Sequence, residues 1–284
     1  MKVFRRLSRT QMVVGGMFLG LVLLSVALAA VETGTRRPAA NPTVVVRRAQ
    51  ALPHDPWAEE WQRVSGVVLP LTVVSTVNPV EGNVQVKALR DDRSIAIRLE
   101  WSDNTQELNT LRPQDFADAA AVELATQPTG ACMGMLDAPV HIWHWRADRG
   151  PGAREMATAY PNMHVDGWHD DTGQVQEVFG DDLYARPALV VGNRRALPDK
   201  GGLAENMIAE GFGTLTTAAE QPTSVEAVWK DGRWAAVFTR SLDGDPQFEA
   251  GSQLQAAFAV WDGKQMQRDG MKYITDWAVL ELKP

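Results

Sequence analysis

The sequence predicts an all-β protein: an antiparallel β-sandwich with long loops and one or two short helices, preceded by an N-terminal apolar helix. Roughly ten short strand-like runs recur at regular spacing between residues 64 and 282, as expected for such a sandwich. In residues 84–88 and again in residues 95–101, apolar side chains alternate with other residues, which is the period of a half-buried strand. Asp231-Gly232 lies between two further runs and is a strong hairpin signal.

The first 30 residues form a segment of a different kind. Basic residues between Lys2 and Arg9 precede residues 12–30, which carry no charge and are almost wholly apolar. As a helix, this run is long enough to cross a bilayer core of about 30 Å. Residues 27–29 (Ala-Leu-Ala) also fit a signal-peptide cleavage site. The segment 1–30 is therefore predicted to be a signal peptide or a membrane anchor, and either would export the rest of the chain.

The remainder divides into a tether and one folded domain. Residues 31–56 are rich in Pro, Arg, Ala and Thr, which predicts a tether with a short extended piece at residues 44–46. The folded domain is predicted to cover residues 57–284. Within it, residues 150–180 are polar and Gly-rich and predict a long loop, whereas residues 203–210 predict a short helix.

Charge and cysteine content exclude several classes of function. The chain has 28 Lys and Arg against 35 Asp and Glu, and its net charge of −7 argues against nucleic acid as a partner. Cys132 is the only cysteine, so neither an internal disulfide nor a Cys-x-x-Cys-His haem attachment can form. Iron–sulfur clusters and Cys-rich zinc sites are excluded for the same reason.

The stretch that carries the most chemical information is residues 130–148, GACMGMLDAPVHIWHWRAD. Its loop holds two thioethers, Met133 and Met135, between glycines and a proline rather than on a periodic face. The strand-like residues 140–145 follow, and their period of two divides them between opposite faces. One face is predicted to hold Val140, Ile142 and His144, and the other His141, Trp143 and Trp145. A soft sulfur beside flat aromatic rings suits a flat, hydrophobic, metal-bearing ligand, although ordinary core packing explains the same residues.

Other polar residues offer weaker candidate sites. His144, His164 and His169 have side chains that suit a copper or zinc site. The alternative interpretation is that they are exposed or hydrogen-bonded histidines without a metal. The carboxylate pairs Asp170-Asp171 and Asp181-Asp182 lie in loops, where they fit calcium binding or simple solvation. No nucleophile elbow, P-loop or dinucleotide fingerprint occurs in the sequence.

Five motifs, taken in order along the chain, resemble one known family. They are FADAAAVELA (residues 116–125), CMGMLDAPVHIWHWRAD (132–148), AEGFGTLT (209–216), DGRWAAVFTRSL (231–242) and FAVWDG (258–263). Together they resemble the haem-binding gamma subunit of ethylbenzene dehydrogenase and of related molybdenum enzymes of the dimethyl sulfoxide reductase class. The resemblance covers most of residues 64–282, and its most specific pieces are IWHW and GFGTLT.

The resemblance implies a β-sandwich that holds one non-covalent haem b between a methionine and a lysine. The family methionine precedes the IWHW-like strand, which gives Met133 here, with Met135 as the alternative in the same loop. The family lysine lies in the loop before GFGTLT, where Lys200 is the lysine of this chain. An amine ligates iron only when it is unprotonated, so the implied pocket must exclude water and lower the pKa of Lys200 from about 10.4.

Further residues are candidates for the surroundings of the haem. Arg194, Arg195 and Arg146 carry guanidinium groups, which suit the haem propionates. Trp143, Trp145 and Phe212 either form walls of the pocket or pack in the core.

The resemblance implies an electron-transfer subunit without substrate chemistry of its own. The implied partners are an iron–sulfur beta subunit, a molybdopterin alpha subunit and a cytochrome c or similar redox carrier. The predicted location is periplasmic or otherwise extracytoplasmic, either secreted or held to the membrane through residues 12–30. The alternative is a surface carbohydrate- or calcium-binding β-sandwich module without haem.

Overall fold

The structure is a computed structural model of the chain. It describes residues 41–73, 82–127, 129, 133–154, 156–162 and 204–284. The predicted N-terminal helix lies outside these residues, as do most of the predicted loop 150–180 and its two histidines. Within the described residues, no helix combines the length and the apolar character that a membrane crossing requires.

The described residues form thirteen strands and few helical turns. The strands are β1 (Thr43–Arg48), β2 (Val67–Val73), β3 (Gly82–Arg90), β4 (Ser94–Ser102), β5 (Ala119–Ala125), β6 (Val140–Arg146), β7 (Glu205–Ala209), β8 (Thr216–Thr217), β9 (Ser224–Lys230), β10 (Arg233–Ser241), β11 (Gln253–Trp261), β12 (Tyr273–Ile274) and β13 (Ala278–Leu282). The short helices are α1 (Glu59–Gln62) and α2 (Met156–Ala159), with 3₁₀ turns at Ala147–Arg149 and Gly263–Gln265.

The strands build the predicted β-sandwich. Hydrogen bonding follows the order β8-β7-β6-β5-β11-β12-β2-β3-β4-β10-β9, and β13 and β1 form a second link between β11 and β3. Inward-facing side chains of β5, β6 and β11 meet those of β3, β4 and β10 in one large core. At its centre the rings of Trp145 and Trp234 lie 5.0 Å apart. The pairing is antiparallel throughout the strand order, whereas β1 runs parallel to both β13 and β3.

Both predicted hairpins are present. β3 and β4 pair antiparallel across the turn after Arg90, and β9 and β10 pair across Asp231-Gly232. Asp231 and Gly232 both have positive φ, 51° and 74°. Such a two-residue turn matches the twist of the strands that it joins, which is why the Asp-Gly pair alone predicts this hairpin.

The ordered domain begins earlier than the sequence predicts. β1 lies inside the segment predicted to be a tether, and it contains the extended piece predicted at residues 44–46. Val44 and Val46 are 1% and 0% exposed, and β1 pairs with β13 and β3. Burial of these valines and the two rows of hydrogen bonds hold this segment in the sheet, so the fold starts before Trp57.

The predicted helix at residues 203–210 is wrong. The described part of that segment is the strand β7, which pairs with β6 on one side and with β8 on the other. Met207 and Ile208 fit a helical face by spacing, but the backbone of β6 offers an edge for pairing. Tertiary hydrogen bonding therefore overrides the local preference.

A candidate cofactor cavity

β6 separates the core of the sandwich from a cavity on the outside of the sheet. Trp143 and Trp145 point inward and are 1% and 4% exposed. Ile142, His144 and Arg146 point outward and line the cavity. The predicted alternation of faces along this strand is confirmed.

The cavity covers the outer face of the sheet formed by β8, β7, β6, β5 and β11. Its volume is about 1550 Å³, which exceeds the roughly 300–1,000 Å³ usual for small-molecule sites. Its described apolar lining includes Ala119, Met133, Ile142, Phe212, Leu215 and Trp261. Its described charged lining consists of Arg112, Asp115, Arg146, Asp148, Arg149, Glu205, Arg268, Asp269 and Lys272.

Met133 is held at the cavity by its backbone. Its carbonyl oxygen accepts a 2.8 Å hydrogen bond from the Gly211 N–H. Gly134 follows with φ +65°, and a Cβ there would lie 2.7 Å from the Ala209 carbonyl oxygen. The close approach that glycine permits presses this loop against β7. The half-buried Met133 side chain packs beside Val140 and Ala209 and lines the cavity.

Met135 is placed differently although it is only two residues away. Its backbone exchanges two hydrogen bonds with Ala138, of 3.0 and 2.9 Å, which close a tight turn. Its side chain is 51% exposed and is absent from the described lining of the cavity. Of the two candidate thioethers, Met133 is the one that faces the cavity.

The charged lining consists mainly of ion pairs. Arg146 pairs with Asp148 and Arg149 with Glu205, each at 2.7 Å between nitrogen and oxygen. Burial favours a higher pKa for Glu205, but hydrogen bonds from Arg149 and Thr217 lower that pKa below its usual value. Glu205 therefore stays ionised beside the cavity.

Lys272 differs from the other cationic side chains of the cavity. Among the described lining residues, it is the one Lys or Arg that makes no ion pair within 4.0 Å. Its Nζ lies 5.2 Å from the centroid of the Trp261 ring, in cation–π geometry. An ammonium group above an apolar wall is available to a negatively charged group on a ligand.

The predicted site residues are distributed over three environments. Met133, Arg146 and Phe212 line the cavity, with Phe212 85% exposed. Trp143 and Trp145 pack in the core, which is the second of the two alternatives for them. Lys200, Arg194 and Arg195 lie outside the described residues, so the methionine–lysine pair stays a prediction.

The histidine prediction is partly outside the described residues as well. His164 and His169 fall there. His144 lines the cavity, and its ring lies 5.0 Å from the Trp261 ring in an edge-on arrangement.

Sequence reasoning missed several lining residues. Arg149 belongs to the turn directly after β6, whereas Arg268 and Lys272 belong to a loop that the fold brings to the cavity from a distant part of the chain. No local pattern sets them apart from exposed loop residues. The pairing of β5 with β11 could have indicated Arg268 and Lys272, because it places the end of β11, and so the start of the following loop, beside Ala119 of the cavity lining.

Comparison with known proteins identifies relatives of this chain. A protein of Haloferax mediterranei named as a respiratory nitrate reductase haem subunit is 28% identical over 271 residues, covering 90% of this chain and 79% of the relative. The dimethylsulfide dehydrogenase gamma subunit of Rhodovulum sulfidophilum is 24% identical over 256 residues, covering 82% and 76%. The chlorate reductase gamma subunit of Ideonella dechloratans is 24% identical over 243 residues, covering 78% and 77%. These relatives favour the electron-transfer subunit over a sugar-binding module without haem.

Among solved structures, a family 9 carbohydrate-binding module from Caldicellulosiruptor kristjanssonii covers 85% of this chain and 95% of its own. It is 11% identical, with a TM-score of 0.44. That similarity is too low to support any inference about ligands.

The profile of one protein family, described as ethylbenzene dehydrogenase, matches residues 58–273. This match covers well over half of the chain and contains every motif of the predicted resemblance. It also includes β6, the Met133 loop and most of the cavity lining. The chain belongs to the ethylbenzene dehydrogenase family of haem-binding gamma subunits, which are electron-transfer subunits of oxidoreductase complexes.

Proposed function

We propose that this chain binds one non-covalent haem b in the cavity outside β6 and passes single electrons through it. The observation that carries the proposal is the half-buried thioether of Met133, which faces a large cavity in a chain whose relative is named as a haem subunit. Thioether ligation stabilises ferrous haem and raises its reduction potential.

The described lining fits the chemistry of a porphyrin. Ala119, Ile142 and Trp261 offer an apolar wall to a flat ring. The propionates of a haem need cationic partners, and Lys272 and Arg146 are placed at the same cavity. Because Arg146 is already paired with Asp148, Lys272 is the stronger of these two candidates.

The second residue that would ligate the haem iron is proposed from the family. By the resemblance, Lys200 is our candidate for the family lysine, and an amine must lose its proton to bind iron. The chain's task is then to exclude water from the amine, because desolvation lowers the pKa of a lysine. Arg194 and Arg195, close to Lys200 in sequence, remain candidates for the propionates.

A haem bound here would supply reversible one-electron chemistry, and the residues of this chain would hold and shield it. Buried Trp143 and Trp145 anchor β6 in the core and so fix the outward direction of Ile142 and His144. The backbone bond from Gly211 fixes the position of Met133 before any ligand arrives. A site arranged in this way changes little in shape between two oxidation states.

The proposed partners follow from the names of the relatives and from the family. Gamma subunits belong to multisubunit enzymes, and an iron–sulfur beta subunit, a molybdopterin alpha subunit and a cytochrome c-like carrier complete the proposed electron path. The proposed location is outside the cytoplasm. Residues 1–30, a basic start followed by an apolar run, would act as an export signal or anchor.

A visible spectrum tests the proposal directly. The full-length protein, produced with haem supplied, is expected to show a Soret band that shifts on reduction with dithionite. Acidified acetone is expected to extract the haem, because the proposed binding is non-covalent. Folded protein without any Soret band would reject the proposal.

A pair of variants tests whether the cavity is the binding site. Ile142→Arg places a charge in the apolar wall and is expected to abolish haem binding. Val68→Arg introduces the same side chain at a residue of β2 that is 59% exposed, and it should leave the spectrum unchanged. Equal haem content in the two variants would place the haem elsewhere.

A further inference from the structure

Four carboxylates outside the cavity lining converge on one point. Asp103 follows β4, Asp118 precedes β5, Asp262 follows β11, and Glu107 lies in the loop between β4 and β5. One oxygen of each carboxylate lies within 4.8 Å of an oxygen from each of the other three. The fold therefore assembles a cluster, here called the acidic cluster, from two loops, the loop between β4 and β5 and the loop after β11.

No positive side chain balances this charge within the described residues. None of the ion pairs there, at nitrogen–oxygen distances up to 4.0 Å, involves a member of the acidic cluster. Asp118 is 0% exposed and accepts from neutral donors, the Gly263 N–H at 2.8 Å and the Trp234 indole N–H at 3.0 Å. Neutral donors stabilise the charge of a single carboxylate, but they do not offset the repulsion among the four negatively charged carboxylates of the cluster.

Two oxygens of the acidic cluster also lack a hydrogen-bond donor. Asp103 is 6% exposed, and its Oδ2 is buried without a partner, while its Oδ1 accepts from Thr105. Oε2 of Glu107 is likewise buried without a partner. Buried carboxylate oxygens without donors are costly and need either a proton or a cation.

A glycine brings the two loops of the acidic cluster together. A Cβ at Gly263 would collide with the Phe116 carbonyl oxygen and lie 2.7 Å from the Glu107 Cβ. Only glycine allows the segment after Asp262 to approach Glu107 this closely. The convergence of these carboxylates is therefore built into the backbone, not produced by flexible side chains alone.

We propose that the acidic cluster binds one calcium ion. Its donors are oxygens only, which suits hard cations and not zinc or copper. Calcium–oxygen bonds of about 2.4 Å allow ligand oxygens to lie up to about 4.8 Å apart, whereas magnesium needs shorter, octahedral bonds of about 2.1 Å. Four carboxylates whose oxygens lie within 4.8 Å of one another can surround a calcium ion, whereas magnesium usually keeps several waters and binds one or two carboxylates.

The bound ion joins two loops that also form the cavity. The loop between β4 and β5 carries Phe116, and the loop after β11 carries Arg268 and Lys272, all of which line the cavity. Calcium bound by Asp103, Glu107, Asp118 and Asp262 cross-links these loops. Its removal is expected to lower the stability of the domain and loosen this wall.

Elemental analysis and calorimetry test the site without requiring haem. The full-length protein purified without chelator is expected to contain about one calcium per chain. After chelator treatment, calcium is expected to raise the Tm and to give a saturable binding heat. Terbium, a calcium analogue, should show luminescence sensitised by Trp234 and Trp229, whose indole N–H groups donate to Asp118 and to the Asp103 carbonyl.

Matched variants assign the response to the acidic cluster. Asp103→Asn and Glu107→Gln are each expected to weaken calcium binding at least tenfold, because each removes the negative charge of a carboxylate that has one oxygen without a hydrogen-bond donor. Glu226→Gln makes the same chemical change at an exposed residue of β9 and should bind calcium as the original protein does.

Three results would overturn the proposal. The first is a folded original protein with neither bound calcium nor a calcium-dependent Tm. The second is a cluster variant with unchanged affinity. The third is a response to magnesium that exceeds the response to calcium. If the cluster variants fail to fold, the calcium content and the calcium-dependent Tm of the original protein alone test the proposal.

Discussion

The Gly211 N–H donates a 2.8 Å hydrogen bond to the Met133 carbonyl oxygen, and so ties the methionine loop to the loop that follows β7. The two residues belong to different motifs of the resemblance, and this hydrogen bond joins those motifs in the fold. The loop is thereby fixed on two sides, since Gly134 also packs against the Ala209 carbonyl. The backbone of the methionine loop, and with it the position of Met133, is therefore held by these contacts.

The first prediction concerns Gly134. Gly134→Ala places a Cβ 2.7 and 2.9 Å from two backbone oxygens, at a φ of +65° that costs other residues about 1 kcal/mol or more. We expect lower stability in urea unfolding and a lower haem content. Gly82→Ala is the control, because its Cβ meets only Leu71 at 3.7 Å. Equal unfolding midpoints for the two variants would contradict the proposed strain.

The second prediction separates the two methionines. Met133→Ala removes the thioether that faces the cavity, so we expect a shifted Soret band and a lower reduction potential. Met135→Ala truncates a side chain that is 51% exposed, and the spectrum and potential should stay unchanged. Redox titration of both variants measures the difference. A response to Met135→Ala alone would exchange the two assignments.

Lys200 is tested in the same way. Lys200→Ala removes the proposed amine ligand and is expected to shift the Soret band and weaken haem binding. Lys230→Ala is the control, because Lys230 is an exposed lysine at the β9–β10 turn. Unchanged spectra for both Met133→Ala and Lys200→Ala would reject the proposed ligand pair.

Sequence patterns correctly predicted the turn and the strand faces that depend only on neighbouring residues. The turn at Asp231-Gly232 requires two residues of positive φ, and the alternation along β6 records which side chains are buried. β1 was predicted only as an extended piece of a tether, and β7 was predicted as a helix, because the pairing of both strands depends on distant parts of the chain. Val46 becomes a sheet residue only when Leu282 and Ala88 lie beside it.

The same distinction between local and long-range contacts separates the predictable from the unpredictable residues of the candidate site. The Met133 loop was found because glycines, thioethers and a strand are contiguous in the sequence. Lys272 and the acidic cluster escaped notice because their members come from separate loops, and each looks like an ordinary surface residue. Spacing along the chain carries no information about such groups until the strand order is known.

The third prediction concerns the aromatic residues. Trp145 is 4% exposed and packs edge-on against Trp234, so Trp145→Ala is expected to cost about 3–5 kcal/mol of unfolding free energy. Phe212 is 85% exposed, and Phe212→Ala should change stability by no more than about 0.5 kcal/mol. Urea unfolding of both variants decides. Similar losses would mean that Phe212 is also packed.

The fourth prediction concerns Glu123, a half-buried carboxylic acid in β5. Burial raises its pKa to about 7, although Lys272 acts in the opposite direction. Its Oε1 is buried without a donor. Below its unfolded pKa of 4.5 both states hold the proton, so Glu123 has no effect on stability there. As the pH rises towards 7, only the unfolded state releases the proton, and the domain loses stability.

Glu123→Gln removes this loss because the amide does not ionise. Relative to the original protein, the variant is expected to gain about 2–3 kcal/mol of unfolding free energy between pH 5 and pH 8. Burial also raises the pKa of Asp103 to about 6 and of Asp118 to about 7, but these groups are present in both proteins. Their contribution cancels in the difference between the two urea unfolding series. Glu226→Gln supplies the exposed control, and parallel pH curves for Glu123→Gln and the original protein would show that Glu123 titrates normally.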